Sequence, residues 1–245
     1  MIIIRIRLFI LSIIAVFSVT AFFSTNLFAI TKLARKIVVF KEYVTPSRKH
    51  ELLKKHCIEK VKDISGINGI VVNLSKGTKL KDEIDVAYIE DDFVLSIHKN
   101  NKIDQLPISP EKPVTQEIIP WGIDYMGAQT YWDTVKTDTI NVGILDTGIE
   151  LNHPDIKENI KGRYNALTEN KSANDDNGHG THIAGILAAS RNSLGVVGMV
   201  PDVNLYSIKV LDSNGNGYVS DIINGINWAI SNKVDIFVIG QAICQ

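Results

Sequence analysis

The hydrophobic pattern divides the chain into an apolar beginning, two folded regions and a polar connection between them. Arg5 and Arg7 precede an apolar run over residues 8–23. This order is typical of a secretory signal, and the run is shorter than the roughly 20 residues that a membrane-spanning helix needs. We therefore expect residues 1–29 to be a signal peptide that directs secretion or export, with a retained membrane anchor as the alternative.

Residues 35–99 predict a small α+β module. A segment with helical spacing begins at Pro46 and extends through Val61. Short apolar runs with strand character lie around it, at 37–40, 69–74, 86–90 and 93–97. A module of this size is only marginally stable by itself, so we expect it to pack against a partner surface. Residues 100–116, which contain three prolines and no periodicity, predict a linker.

The region after the linker, residues 117–245, begins its informative part with a buried strand. The mostly apolar run from Thr139 to Leu145 ends at Asp146, which Thr147 and Gly148 follow. A run of this kind is typical of a parallel strand with a carboxylate at its carboxyl end. Ligands and catalytic groups gather at that edge of open α/β sheets. The alternative is that Asp146 only caps a turn.

A second motif places two histidines at the beginning of a small-residue helix. Gly178 and Gly180 flank His179, and an apolar stretch follows His182. The glycines let the backbone turn tightly and bring an imidazole close to the neighbouring strands. The two histidines could hold a metal, or one of them could be a catalytic base oriented by a carboxylate. We favour the base, because no Glu adjoins the pair as it does in the zinc-protease helix.

Composition narrows the class of protein. The chain is 45% hydrophobic with a net charge of -1, which argues against disorder and against a nucleic-acid binder that works by electrostatics. Residues 35–99 carry 13 basic against 10 acidic side chains, whereas residues 117–245 carry 8 against 15. The two regions could therefore attract each other. Cys57 and Cys244 suggest no disulfide framework.

These motifs resemble the subtilisin-like serine proteases, the subtilases. The resemblance extends from Pro120 to about Asp235 and is carried by 145–149, 153–155, 177–185, 198–201, 205–211 and 222–229. It implies an α/β fold, with a small α+β propeptide-like domain over 35–99 and the linker 100–116. The first half of a three-layer, doubly wound, mainly parallel subtilisin-like sheet domain then occupies 117–245.

The resemblance also implies roles for individual residues. Asp146 corresponds to the acid that orients the imidazole, and His179 to the general base for a serine nucleophile. His182 then has no catalytic role and is a packed or hydrogen-bonded residue of the helix. Protein or peptide substrates are implied, with residues 35–99 as an intramolecular propeptide that inhibits and assists folding, and with neither nucleic acid nor an organic cofactor.

Two further sets of residues follow from the same resemblance. One matches the stretch that pairs with an extended substrate backbone and consists of Leu211, Asn214, Gly215 and Asn216. The other matches a structural calcium site built from oxygen ligands and consists of Glu117, Asp155, Ser190, Asn192, Leu194 and Val196. A plain surface loop is the alternative for the second set.

After Phe237 the sequence departs from the family pattern. An Asn-Met-Ser-Leu-Gly type of strand, the oxyanion-hole Asn and a Gly-Thr-Ser-Met-Ala type of helix are absent before Gln245. We therefore expect an incomplete endopeptidase that is inactive as written and that exposes edge backbone and apolar faces. Two alternatives stay open: a non-catalytic, propeptide-type inhibitor or chaperone of a full-length subtilase, and a chain whose site a second polypeptide completes.

Overall fold

The structure is a computed structural model that describes residues 33–97 and 117–240. The expected signal peptide, the expected linker and residues 241–245 lie outside these ranges. Among the helices that the two ranges contain, none is long and apolar enough to cross a membrane.

A parallel sheet with helices on both faces forms the core of residues 117–240. Its strands are β6 (Asn141–Asp146), β7 (Ile160–Asn165), β8 (Asn204–Lys209) and β10 (Ile236–Ile239), in the order β10-β6-β8-β7. Strand β9 (Asn216–Tyr218) lies outside this sheet. The helices are α2 (Trp121–Tyr125), α3 (Gln129–Trp132), α4 (His179–Ala188) and α5 (Val219–Ser231). A 3-10 turn covers Lys157–Asn159.

Alternation along β6 produces the three layers, because successive side chains of a strand point to opposite faces. Ile144 shares an apolar cluster with Ala184 of α4. The next residue, Leu145, shares a different cluster with Ala229 of α5. The expected three-layer, mainly parallel α/β domain is therefore present, and β6, one of its two inner strands among the described residues, ends at Asp146.

Residues 33–97 form a second unit, a four-stranded antiparallel sheet with one helix. Its elements are β1 (Ala34–Phe40), α1 (Pro46–Lys55), β2 (Lys60–Ile64), β3 (Gly69–Leu74), β4 (Val86–Asp91) and β5 (Val94–Ser96), with a 3-10 turn at Lys79–Asp82. The order of strands in the sheet is β2-β3-β1-β4. One face of the sheet packs on α1, where Val38 and Leu52 belong to the same buried cluster. The other face contributes Val39 to a cluster that includes Ile223 of α5.

The first helix is shorter than the sequence pattern predicted. It ends at Lys55, and Val61 lies in β2 instead. Cys57 adopts a left-handed φ of 53°, and the Ile58 N–H donates to the Leu53 carbonyl (2.9 Å). This is the hydrogen bond of a Schellman C-cap, which reverses the chain even where the helical spacing of side chains continues.

Polar contacts join the N-terminal unit to the beginning of α5. Asp92 accepts hydrogen bonds from the Ser220 N–H (2.9 Å) and hydroxyl (2.8 Å). Lys62 forms an ion pair with Asp221, the acidic residue of the first turn of α5. These contacts place a carboxylate from the N-terminal unit at the amino end of the helix, where the helix dipole favours negative charge.

Candidate active site

Asp146 ends β6 at the carboxyl edge of the parallel sheet, as the sequence analysis expected. Its side chain is completely buried, and one carboxylate oxygen accepts a hydrogen bond from the Thr147 N–H (2.7 Å). A buried carboxylate needs partners of this kind, because burial without them penalises its charge heavily.

His179 is the first residue of α4, and its ring faces Asp146. Its Nδ1 lies 2.8 Å and 2.9 Å from the two carboxylate oxygens. The His179 side chain keeps 35% of its exposure, whereas the carboxylate keeps none. A carboxylate here selects the tautomer with the proton on Nδ1, so that Nε2 can accept a proton. The arrangement is therefore chemically able to act as an oriented general base.

Two glycines allow the strand and helix backbones to approach this pair. A Cβ on Gly180 would overlap the carbonyl oxygen of Gly148, and a Cβ on Gly240 would overlap Asp146 Oδ2. Gly240 follows β10, so the neighbouring strand also ends against the carboxylate. No sequence motif pointed to Gly240.

Asp175 is a further acidic residue beside the site that the sequence analysis did not single out. Burial raises the pKa of its carboxyl group, but hydrogen bonds from Thr181, Gly178 and Asn177 outweigh that effect and hold the pKa below its ordinary value. The only sequence signal was its position three residues before the Gly178-His179 turn.

Among the described residues, the two histidines have no third protein ligand with which to form the alternative metal site. His182 is exposed on α4, one turn beyond His179. Within residues 33–97 and 117–240, no group of three His, Cys, Asp or Glu side chains converges to hold a metal.

The residues predicted to pair with substrate divide into two groups. Gly215 and Asn216 lie on an edge that the N-terminal unit covers, because β5 pairs with β9 in antiparallel register. The Ile97 N–H donates to the Gly215 carbonyl (3.0 Å), and the Ser96 hydroxyl to Asn216 Oδ1 (2.5 Å). By contrast, Leu211 is buried in the core, and the Asn214 N–H is tied to Asp212 Oδ1 (2.8 Å) in the preceding turn.

The residues predicted to bind calcium surround one loop. Glu117 Oε1 accepts hydrogen bonds from the N–H groups of Asn192 (2.8 Å) and Ser193 (2.9 Å). Asn192 Oδ1 accepts one from the Leu194 N–H (2.9 Å), which tightens the same turn. The carboxylate of Glu117 therefore shapes the loop.

Asp155 lies beneath this loop and is almost completely buried. Its Oδ2 accepts a hydrogen bond from the Val196 N–H (3.0 Å), and its backbone carbonyl accepts one from the Ser190 N–H (2.8 Å). In the part of the chain that the structure describes, Asp155 Oδ1 is the one buried side-chain polar atom without a hydrogen-bond partner. A buried, unpartnered carboxylate oxygen is the kind of ligand that suits a hard cation.

Comparison with known proteins matches the region that holds the Asp146–His179 pair. The sequence model of the Subtilase family matches residues 137–240. Subtilisin E from Bacillus subtilis (strain 168) is 32% identical over 207 residues, which cover 82% of this chain and 49% of that protein. Minor extracellular protease Epr from the same strain is 33% identical over 159 residues, which cover 64% of this chain and 24% of that protein. The chain thus spans about half the length of Subtilisin E.

The fold is also found in a solved structure. The crystal structure of fervidolysin from Fervidobacterium pennivorans, described as a keratinolytic enzyme related to subtilisin, matches with a TM-score of 0.64 and 21% identity. The match covers 84% of this chain and 35% of that one. By its 32% identity to Subtilisin E over 82% of its length, and by the family model that matches residues 137–240, the chain belongs to the subtilase family of subtilisin-like serine proteases.

Proposed function

We propose that the chain is part of a serine endopeptidase in which Asp146 orients His179 as the general base. The observation that carries this proposal is the contact of His179 Nδ1 with both oxygens of a buried carboxylate, at 2.8 Å and 2.9 Å. In the proposed reaction, Nε2 takes the proton of a serine hydroxyl during attack on the scissile carbonyl and returns it to the leaving amine. Asp146 stays ionised and stabilises the imidazolium.

The proposed substrates are protein chains that bind in extended form along the β9 edge. Strand addition supplies main-chain hydrogen bonds to such an edge without demanding particular side chains. Because β5 already occupies this edge, residues 33–97 are proposed to act as an intramolecular propeptide that blocks it. The contacts of Asp92 and Lys62 with α5 support the same role.

The chain as printed is proposed to have no peptidase activity of its own. Its sequence lacks the nucleophile motif, and among the described residues no serine hydroxyl is hydrogen-bonded to His179. The hydroxyl of Ser207, a buried residue of β8, donates to the Ala173 carbonyl (3.0 Å). Purified protein that hydrolyses casein, with inhibition by diisopropyl fluorophosphate, would contradict this part of the proposal.

The catalytic assignment is tested by reading the gene beyond codon 245 and expressing any continuation that carries a Gly-Thr-Ser motif together with this chain. We expect proteolysis that diisopropyl fluorophosphate inhibits. Asp146→Asn should lower kcat by about 10⁴-fold, because it leaves the wrong tautomer, and His179→Ala by about 10⁶-fold. A His182→Ala variant is the matched control and should keep the activity. Full activity of the His179→Ala variant would refute the assignment.

A second function, inhibition of another subtilase, is favoured by the same β5–β9 pairing. A peptide of residues 33–97 should inhibit Subtilisin E at micromolar or lower concentration, because it would offer β5 to the equivalent edge. An Ile97→Pro peptide, which lacks the N–H that binds Gly215, is the control and should be weaker. No inhibition at high micromolar peptide would exclude this function.

Calcium is proposed as a structural ion held by Asp155, Glu117 and oxygens of the 190–196 loop. Asp155 Oδ1, buried and unpartnered, fits a hard cation at this place. The ion would stabilise the loop against Asp155 and take no part in the chemistry. Calcium should therefore raise the unfolding temperature of the chain, and Asp155→Asn should abolish that increase.

Export is proposed as the destination of the protein. It is supported by the Arg5, Arg7 and apolar order at the beginning of the sequence and by similarity to a relative described as extracellular. Fusion of residues 1–32 to a reporter should direct the reporter out of the bacterial cytoplasm, and retention of the reporter would contradict the proposal.

A further inference from the structure

We infer that Asp175 is a positioning residue whose carboxylate ties the turn after β6 to the first turn of α4 and so fixes the His179 ring against Asp146. The inference rests on the proposed function, because it concerns the same pair. Asp175 belongs to neither element, and its two oxygens accept five hydrogen bonds from groups on both sides.

The contact on the strand side is made by Thr147, the residue directly after Asp146. Its hydroxyl donates to Asp175 Oδ1 (2.8 Å) and accepts a hydrogen bond from the Gly180 N–H (3.0 Å). Thr147 is itself completely buried. Movement of the Asp175 carboxylate would therefore be passed to Thr147, whose backbone is bonded directly to that of Asp146.

The contacts on the helix side replace the missing cap of α4. The cap residue Gly178 has a φ of 101° and no side chain to accept the orphan N–H groups of the first turn. Asp175 Oδ1 accepts from the N–H groups of Gly178 (2.9 Å) and Asn177 (3.0 Å). Its Oδ2 accepts from the Thr181 N–H (2.9 Å) and hydroxyl (2.6 Å). His179 thus begins a helix whose first turn is held by a carboxylate from outside.

Charge makes an aspartate better suited than a neutral side chain. A carboxylate offers acceptors only, and all five of its partners are donors. In an asparagine, the amide NH₂ group would replace one of the two oxygens and would face at least two of these donors without being able to accept from them. A negative charge at the amino end of α4 is also favoured by the helix dipole.

The neighbouring Asp176 provides a control with the same charge. Its carboxylate accepts a hydrogen bond from Lys209 Nζ (2.6 Å) and makes no direct hydrogen bond to Thr147 or to α4. Lys209 Nζ also donates to the Thr147 carbonyl (2.6 Å), a contact that does not involve the Thr147 hydroxyl. Asp176→Asn removes one negative charge beside the site but leaves an oxygen that can accept from Lys209. Any purely electrostatic effect of losing Asp175 should therefore appear in Asp176→Asn as well.

The test is proton NMR of the full chain with ¹⁵N-labelled histidine, which requires no nucleophile. The His179 Nδ1 proton should give a low-field signal, and Asp146→Asn should abolish it. Asp175→Asn should make this proton exchange with water at least about tenfold faster, because the pair is no longer held together. Asp176→Asn should leave the exchange rate within about twofold of the parent chain.

A second pair of variants keeps the inference testable if Asp175→Asn does not fold. Thr147→Val keeps the shape of the buried side chain but removes the hydroxyl, whereas Thr147→Ser restores it. The valine variant should accelerate exchange and the serine variant should not. If Asp146→Asn leaves the signal unchanged, the proposed function fails. If Asp146→Asn abolishes the signal while Asp175→Asn and Thr147→Val behave like Asp176→Asn, only the positioning role fails.

Discussion

At Gly180 the helix that carries His179 and the turn that carries Asp146 come so close that no side chain fits between them. Gly180→Ala should therefore lower the free energy of unfolding by about 1–3 kcal/mol, because the new Cβ overlaps the Gly148 carbonyl oxygen. Urea denaturation measures the change. The Gly180→Ala substitution should also accelerate exchange of the His179 Nδ1 proton.

Gly185 of the same helix is the matched control for this prediction. The nearest atom to a Cβ there is Ile156 Cδ1, at 4.0 Å, so alanine meets only ordinary van der Waals contact. Gly185→Ala should raise the free energy of unfolding by about 0.5–1 kcal/mol, because alanine is the better helix former. Equal losses in the two variants would show that the close approach at Gly180 is not what constrains the site.

The contribution of Asp175 to the stability of the folded chain depends on pH in the acid range. Its folded-state pKa is lowered below the ordinary value of 3.8, so its contribution to stability is complete above about pH 3.8. That contribution is lost as the pH falls through the lowered folded-state value. The difference in unfolding free energy between the parent chain and Asp175→Asn, about 1–2 kcal/mol near neutral pH, should stay constant down to about pH 5 and shrink below pH 3.8. A difference that grows on acidification would contradict this assignment.

Among the elements, the short pairing of β5 with β9 depends on Gly215. This residue has a φ of 77°, and a Cβ there would overlap the Ile97 side chain. Gly215→Ala should therefore separate β5 from β9 and accelerate hydrogen exchange of the Ile97 N–H at least about tenfold, since that N–H loses its acceptor. Mass spectrometry of peptides that contain residue 97 measures the change.

Substitution of Gly77 is the control that distinguishes the steric clash with Ile97 from the strain of a left-handed backbone. It has a φ of 94°, but no atom lies within 4 Å of the place that a Cβ would occupy, so Gly77→Ala introduces backbone strain alone. Exchange at Ile97 should be unchanged in this variant. Similar acceleration in both variants would mean that general destabilisation, and not the contact with Ile97, opens the β5–β9 pair.

The elements also show which parts of the structure the sequence could predict. The apolar run before Asp146 and the small-residue stretch after His179 dictated β6 and α4, since burial on a sheet leaves a strong local pattern. Strand β7 was missed because it lies at a sheet edge and contains Lys161 and Arg163 among half-buried residues. The end of α1 depended on the left-handed backbone at Cys57, which no side-chain periodicity reveals.

The candidate site could likewise be predicted only in part from the sequence. Asp146 and His179 stand in local motifs, and each motif places its residue at the end of an element. Asp175 gains its meaning only from Thr147, 28 residues earlier, so its role requires the tertiary structure. Similarly, Leu211 was grouped with Gly215 by sequence, but only Gly215 lies on the edge that β5 covers.

At the scale of the whole molecule, the described residues expose a large apolar surface. Ile236 and Ile239 of the edge strand β10 are 51% and 46% exposed. A cavity of about 950 Å³ lies between α2 and α4, and Trp121 and Ile186 at its rim are 84% and 55% exposed. Edge strands and apolar patches of this kind promote association.

We therefore expect the purified chain to self-associate at micromolar concentration, as sedimentation velocity would measure. Ile236→Lys should reduce association, because a charge on the edge strand opposes pairing with a second chain. Ile84→Lys is the control: Ile84 is 74% exposed in the N-terminal unit, away from β10, and its replacement should have no effect. A monomeric parent chain would contradict the prediction.

The shared cluster of Val39 and Ile223 also constrains the order of events during synthesis. The N-terminal sheet can cover one face with its own helix as soon as it leaves the ribosome, but its other face waits for α5. Lys62 and its partner Asp221 are 159 residues apart. At a translation rate of about 5–20 residues per second, that interval lasts about 10–30 s. During this time the uncovered face is open to ribosome-associated chaperones, so the speed of translation itself becomes a determinant of how much chain folds.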